Sequence, residues 1–545
     1  MRKIVGLVVV VLVAALGTTP VVDAGTFKPH VPRFVATKCP AFFPPDRDVD
    51  CGYVVVPEDR NRPHDRKIHV MVAVMHASSD QPAGDPIMMV DGGPSFGAIA
   101  PFAVEEYFGG AAFAEDHDVI LVDTRGTGMS RPRLGCRELD RADVKAFYAP
   151  PTLYAKALPI FTRALSACWQ RLVGNGVDPS DYTTAESVAD LDAIRKALGI
   201  DRFNLFALSA DGVLGATYVR LFPGHLRSVV FDSTMGPEAV WLPDVERGRD
   251  RLMNKVFRGC RHNAACHAKY PGIKRLFHQG IRKFHNHPVR IRIPAFQPHP
   301  VTVEIDGTGF YYDAVNSIYP GDAFTPSFIH DPLEYIWRAM HGELKQIYRE
   351  WFGTGPVTNE HLNDFLAQGK TMSYICHDMV NLISRADLRE AARDLPAMAP
   401  LYLHPDYELA LGFSVPVSPA GCAHWSVGRA PGWQHTRVHG TVPALALAGE
   451  YDMSIPPALV RSTVRGMSNV HFFKFPASAH LQLASYTNGS ECAREITAAF
   501  LKHPRRTPDA SCLDDLPRID FTPPGPDRHR GHGRWLAPDR RPGAW

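Results

Sequence analysis

Three polar residues, each following an apolar run, are of the types needed to build an activated nucleophile. Ser209 follows Asn204–Leu208, Asp452 follows Ala444–Leu447 and His480 follows Phe472–Phe475. A serine hydroxyl attacks poorly until an imidazole takes its proton, and the imidazole needs a carboxylate to hold its tautomer and orientation. The chain order serine, acid, histidine is one in which such triads recur. Singly these residues say little: a serine before a helix is commonly an N-cap, and His480 is one of 25 histidines. Their joint placement at the ends of apolar runs points to acyl transfer, with Ser209 attacking, His480 moving the proton and Asp452 orienting the ring. Attack on a carbonyl also requires donors for the oxyanion. Asp91-Gly92-Gly93-Pro94-Ser95-Phe96-Gly97 follows the run Ile87–Val90, so an N–H of Gly92 or Gly93 can join that of Ala210; an ordinary glycine-rich turn is the alternative.

Such residues must be held by a rigid frame, and the pattern around them supplies one. Short runs rich in β-branched and apolar residues at Tyr53–Val56, Ile68–Val74, Ile87–Val90 and Val119–Val122 read as strands. From Ser187 to Leu198 the period changes: Val188, Leu191, Ile194 and Leu198 recur at helical spacing, with Thr183 and Glu186 placed as a capping box and Gly199 as a stop. Strand Phe203–Leu208, helix Val213–Phe222 and strand Ser228–Phe231 follow, and this alternation predicts a parallel sheet with crossover helices. After Pro243 the rhythm is lost as far as Val438, in a stretch rich in aromatics and helix-like segments such as Leu333–Trp351. Strands Ala444–Leu447 and Phe472–Phe475 then resume it, as expected of a sheet interrupted by an inserted lid. The expected division is a signal segment at 1–24, a first core part at 25–244, a mainly helical lid at 245–438, a second core part at 439–520 and a disordered Pro/Arg-rich tail at 521–545.

A chain of 545 residues exceeds one minimal domain, and 45% apolar with 21% charged residues is ordinary for a soluble globular protein. A formal charge of +2 gives no field that would recruit nucleic acid or a membrane surface. The basic start Met1-Arg2-Lys3, the apolar run Ile4–Leu16 and the small or apolar residues Val22-Asp23-Ala24 read as a cleaved export signal, too short to cross a bilayer. Export gives ten cysteines an oxidising setting. Pairing sequence neighbours closes the shortest loops: Cys39 with Cys51, Cys136 with Cys168, Cys260 with Cys266, Cys376 with Cys422 and Cys492 with Cys512, although spacing alone leaves the connectivity open. No Cys-x-x-Cys pair or His-Glu-x-x-His helix occurs, so no metal and no cofactor are expected.

Taken with Cys51-Gly52-Tyr53-Val54-Val55-Val56-Pro57-Glu58-Asp59, the Gly92-Gly93-Pro94 loop, Asp123-Thr124-Arg125-Gly126-Thr127-Gly128, Tyr182-Thr183-Thr184, Leu221-Phe222-Pro223-Gly224, Cys376-x-Asp378 and Cys422-x-x-Trp425, the chain resembles the secreted tripeptidyl aminopeptidases of actinobacteria, in the prolyl aminopeptidase group of α/β-hydrolases. The resemblance spans nearly the whole chain after the signal segment. It implies an α/β-hydrolase fold capped by a helical lid, an acyl-enzyme on Ser209, and peptide substrates with a free amino end. A monomer that is secreted, either free or wall-associated, is the corresponding expectation. Asp378 is the candidate acid for the substrate's ammonium, against the alternative of a hydrogen-bonding residue beside a disulfide. Arg125 reads as structural, fixing the loop after its strand. The pattern departs from Gly-x-Ser-x-Gly at the nucleophile, where Ala207 and Asp211 replace the glycines, and Ser95 and Asp91 depart in the oxyanion loop. Asp211 threatens both helix-to-strand packing and negative charge developing nearby. An esterase or amidase on small acyl substrates, and a catalytically impaired homologue with a binding role, are therefore the alternatives.

Overall fold

The computed structural model describes residues 32–523 apart from 44–46, 91, 94–95, 100–111, 149–153, 294–300, 319–329, 353–366, 397–398, 400–408, 412–414, 418 and 486. The expected signal segment, most of the expected tail, and Asp91, Pro94 and Ser95 therefore lie outside the described residues. Those described all belong to the unit Pro32–Trp545.

Runs of residues that are buried along their whole length build the centre of the molecule. Strands β1 (Phe34–Thr37), β2 (Val49–Pro57), β3 (Lys67–Met75), β4 (Ile87–Val90), β5 (Val119–Asp123), β6 (Phe203–Leu208) and β7 (Leu226–Asp232) come from the first half of the chain. Two small antiparallel pairs, β8 (Val289–Ile293) with β9 (Val301–Ile305) and β10 (Leu409–Leu411) with β11 (Val415–Val417), lie apart from the main sheet. Strands β12 (Ala444–Gly449) and β13 (Val470–Phe475) return to it. The main sheet has the order β1-β2-β3-β5-β4-β6-β7-β12-β13, antiparallel from β1 to β5 and parallel from β5 to β13. This is an α/β-hydrolase sheet, mostly parallel and flanked by helices. Strands β4, β5, β6 and β12 are buried at every residue, because both faces are covered. Leu205, Ala207, Val229 and Phe231 pack on one face, and Phe206, Leu208, Val230 and Leu447 on the other. Each large side chain so buried contributes about 1.5–3 kcal/mol.

Helix Thr184–Ala197 turns Val188, Leu191 and Ile194 into the core and ends at Gly199, whose φ of +68° suits glycine. Its expected capping box is only half formed. Thr183 accepts the Glu186 N–H at 3.4 Å, but the Glu186 carboxylate is engaged by Arg60 and Arg125. Arg125, fully buried, bonds both Asp190 oxygens at 2.7 Å and the carbonyls of Pro57, Glu58 and Asp181 at 3.3, 2.8 and 2.7 Å. It thereby ties the loop after β5 to the end of β2, to the Asp181 turn and to the middle of the helix, and no guanidinium donor is left unsatisfied.

Between β7 and β12 the chain is mainly helical, with Trp241–His262, Ala264–Lys269, Ile273–Asn286, Gly307–Asn316, His330–Met340, Leu344–Phe352, Gln368–Asp378 and Arg385–Asp394. The single helical stretch expected over Leu333–Trp351 is broken at Gly342, where φ is +94°, and the two halves fold together with Tyr335 stacked on Trp351 at 5.5 Å. No helix among the described residues is long and apolar enough to cross a membrane. The cysteines form five disulfides, Cys39–Cys51, Cys136–Cys168, Cys260–Cys266, Cys376–Cys422 and Cys492–Cys512.

Within the helical stretch the half-buried Asp313 accepts hydroxyls from Tyr335 at 2.8 Å and Tyr348 at 2.5 Å, and desolvation pushes its pKa up to about 6. A carboxyl that prefers its proton in the fold supports stability below the unfolded pKa near 4, and that support is lost as pH rises through about 6. Asp313→Asn, which keeps an acceptor without the charge, is accordingly expected to unfold at higher denaturant than wild type at pH 8, by up to about 3 kcal/mol. The gap should close near pH 4, and an unchanged gap across that range would contradict the assignment.

Candidate active site

Strand β6 ends at Leu208, and the next residue, Ser209, has φ of +51° in a short 3₁₀ turn, Ser209–Asp211, that runs into helix Gly212–Leu221. A non-glycine residue in this region is strained by about 1–3 kcal/mol, and the turn lifts the side chain clear of the strand. The helix approaches the sheet closely because two glycines permit it. A Cβ on Gly212 would fall 2.4 Å from that of Thr234, and one on Gly215 would fall 2.6 Å from that of Ala207. The close packing that glycine at position 211 was expected to provide is thus supplied by its neighbours, and Asp211 sits buried with an ordinary φ of −73°.

Asp452 follows β12 on a loop whose backbone it organises: one carboxylate oxygen accepts the N–H groups of Ser454 and Ile455, both at 2.8 Å. Its other oxygen lies 2.8 Å from His480 Nδ1, and His480 Nε2 lies 2.9 Å from Ser209 Oγ. With the carboxylate able only to accept, Nδ1 carries the proton and Nε2 faces the hydroxyl as acceptor. The structure therefore brings the three sequence-selected side chains into one hydrogen-bonded chain. His480 and Asp452 are buried, whereas Ser209 is half-buried. Burial pushes the imidazole pKa down, but the charge and hydrogen bond of Asp452, aided by Asp232, hold it above its ordinary value.

The loop carrying His480 is held by residues that sequence reading missed. Asp232, fully buried at the end of β7, accepts the N–H groups of Gln482 and Leu483 at 2.8 Å each. Ser233 Oγ accepts the Leu481 N–H at 2.9 Å, and Gln482 Nε2 donates to the Ala479 carbonyl at 2.7 Å. Ser233, Ala477 and Leu481 all have φ between +47° and +65°, so strain is concentrated around the histidine. Burial pushes Asp232 up to about 6. The sequence did contain a signal for it: Val229-Val230-Phe231-Asp232 is another apolar run ending in an acid.

Of the oxyanion candidates, Gly92 passes directly beside the serine, and a Cβ there would lie 2.5 Å from Ser209 Cβ. Gly93 has φ of +72° and is covered by the Phe96 ring. The same loop is anchored farther along by Asp123, whose oxygens accept Ile99 N–H at 2.9 Å and Met129 N–H at 2.7 Å. Ala210 follows the serine, and its carbonyl accepts the Tyr374 hydroxyl at 3.0 Å. Tyr374 belongs to helix Gln368–Asp378, from which Lys370 also enters the core and donates to the Tyr182 carbonyl at 2.9 Å and Ser187 Oγ at 3.0 Å. Burial, then Arg125, lowers Lys370 to about 8, against the opposing charges of Asp378, Asp211 and Asp190. Asp211 therefore has a cation in its surroundings, a circumstance hidden from the sequence because Lys370 lies far along the chain.

Asp378, the candidate for a substrate's ammonium, is buried. Its oxygens accept Thr184 N–H at 3.0 Å, Thr184 Oγ1 at 2.7 Å and Gln434 Nε2 at 2.8 Å, with His377 Nδ1 at 2.7 Å. With its oxygens so engaged, it is a junction between helices and not an open acceptor. Among the described residues no group of three potential metal ligands occurs.

Two family descriptions match parts of the chain. Residues 85–265 match a family described as alpha/beta hydrolase fold, and residues 411–512 match one described as TAP-like protein. The chain is 29% identical over 213 residues to a tripeptidyl aminopeptidase of Streptomyces coelicolor, covering 37% of this chain and 38% of that one. It is 26% identical over 235 residues to the serine protease Hip1 of Mycobacterium bovis, covering 40% of this chain and 42% of that one. Both alignments thus span about two fifths of the relatives' lengths. The likeness is to serine hydrolases of peptidase type. Among solved structures, the proline iminopeptidase of Mycobacterium smegmatis aligns over 83% of this chain and 99% of that one, with a TM-score of 0.35 and 15% identity.

If Asp211 serves as a counter-charge to Lys370, Asp211→Gly should lower the unfolding temperature without accelerating fluorophosphonate labelling of Ser209. An increase of more than tenfold in labelling rate would instead identify the carboxylate as an obstacle to the nucleophile.

Proposed function

We propose that this chain, a tripeptidyl aminopeptidase-like α/β-hydrolase, is an exported serine hydrolase of peptidase type that cleaves peptide bonds near free amino ends. The observation that carries the reading is His480 bridging Ser209 at 2.9 Å and Asp452 at 2.8 Å.

In the proposed reaction Ser209 Oγ attacks the scissile carbonyl carbon while its proton passes to His480 Nε2. The resulting imidazolium is stabilised by Asp452. Negative charge on the tetrahedral oxygen is met by backbone N–H groups from Gly92 or Gly93 and Ala210. Collapse expels the amine, which takes the proton from Nε2, and leaves an acyl group on Ser209. Water, deprotonated by the same imidazole, then hydrolyses this ester and restores the hydroxyl. The helical stretch at 245–438 is proposed as the lid that limits access to chain ends, and the five disulfides favour an oxidising, extracellular setting.

Two measurements test this. A chromogenic tripeptide amide with a free amino end should turn over, its amino-acylated counterpart should turn over at least tenfold more slowly, and Ser209→Ala should abolish both activities. Equal turnover of the two peptides would remove the aminopeptidase reading while leaving the hydrolase intact. The pH profile tests the histidine. Only neutral His480 can act as base, so its raised pKa puts the acid limb of kcat/KM above the ordinary value of 6.5. Asp232→Asn removes a charge that favours the imidazolium, so the limb should move to lower pH. Loss of kcat with an unmoved limb would mean that Asp232 acts on the loop alone.

A further inference from the structure

Away from the triad, helices Trp241–His262 and Ile273–Asn286 diverge around a cavity of about 590 Å³, a size typical of small-molecule sites. Its wall carries Arg258 and Arg261 from the first helix, Lys274, Arg275 and His278 from the second, and His267 from the short helix between them. No carboxylate lines it. The arginine and lysine side chains are exposed and form no ion pair among the described residues, whereas Arg60, Arg125, Arg171, Arg247 and Arg338 elsewhere are all paired. Arg275 lies over Gly272, with its guanidinium 3.2 Å from where a Cβ would be. The Cys260–Cys266 disulfide staples the turn that follows the first helix, which restrains the backbone carrying Arg258, Arg261 and His267 before any ligand arrives.

Four unpaired like charges around one hollow repel each other, and an anion bearing several charges relieves that repulsion. The nearest carboxylates lie outside the lining: Glu334 accepts the Tyr270 hydroxyl at 2.6 Å, and an adjoining cavity of about 740 Å³, which shares Lys274 and His278, adds Asp250 and Asp394. Burial, then the nearby Lys274 and Arg282, lower His278 below its ordinary pKa against the pull of Asp250. Phe521 seats on Gly259 and Thr522 accepts from Asn263 at 3.1 Å, beside the cavity.

We propose that this cavity binds a multiply charged phosphate-type anion of small-molecule size. A concave site suits a compact soluble anion, because a flat bilayer cannot bring its headgroups to the floor. The inference is independent of the peptidase reading.

Titration of the full chain with inorganic tripolyphosphate at constant ionic strength tests it. Saturable one-to-one binding with a rise in unfolding temperature is expected. The double substitution Arg258→Gln with Arg261→Gln, and separately Lys274→Gln, should each weaken binding at least tenfold, while Arg385→Gln with Arg389→Gln on another exposed helix should leave it unchanged. If the double variant proves unstable, the Lys274→Gln result decides. Absence of saturable binding, equal losses in the control variant, equal affinity for sulfate, or binding confined to phosphatidylglycerol vesicles would each overturn the proposal.

Discussion

An imidazole that must sit within 2.8 and 2.9 Å of partners on two different strand ends leaves the backbone behind it little freedom. In this chain the limiting approach is that of the histidine loop to the end of β12. A Cβ on Gly449 would lie 1.8 Å from the Ala479 carbonyl oxygen, so the last residue of that strand has to be glycine for the loop to settle there. Tyr451 N–H then donates to the Ser478 carbonyl and Glu450 N–H to that of Phe475, each at 2.9 Å, which locks the acid loop against the histidine loop. The serine elbow, with its own glycines at 212 and 215, is built on the same principle: side-chain volume is removed where backbones must touch.

What the sequence made legible follows from burial. Strands β2 to β7, β12 and β13 announce themselves as apolar runs because most are covered on both faces, and Ser209, Asp452 and His480 stand out because each ends or follows such a run. The missed elements are those without this signature. Strand β1 is a four-residue edge with exposed side chains, and β8 to β11 are short pairs inside the helical stretch. Gly342 splits what reads as one helix, since apolar periodicity continues across a break that only a left-handed residue reveals. The support around His480 was only half legible: Asp232 ends an apolar run as a functional acid would, but it and Ser233 act on backbone N–H groups, and no residue type marks the receiving end.

Asp211 illustrates how a local departure from a pattern acquires its surroundings from long range. A carboxylate beside the nucleophile is unfavourable for a developing oxyanion if considered with its sequence neighbours alone. In the fold, helix Gln368–Asp378 crosses behind the elbow, puts the Tyr374 hydroxyl on the Ala210 carbonyl and brings the Lys370 ammonium into the same buried region. The Cys376–Cys422 disulfide and the bond from Trp425 Nε1 to Ser373 Oγ at 3.0 Å hold that helix in register. Residues more than 150 positions from the serine thus belong to its electrostatic environment.

The Arg125 guanidinium spends its five donors on three separate segments at once. A buried fork of this kind has no comfortable half-open form, because releasing any one segment strands donors in a dry interior. The end of β2, the Asp181 turn and the helix around Asp190 should therefore protect their amides from solvent exchange as a single unit, opening together or not at all.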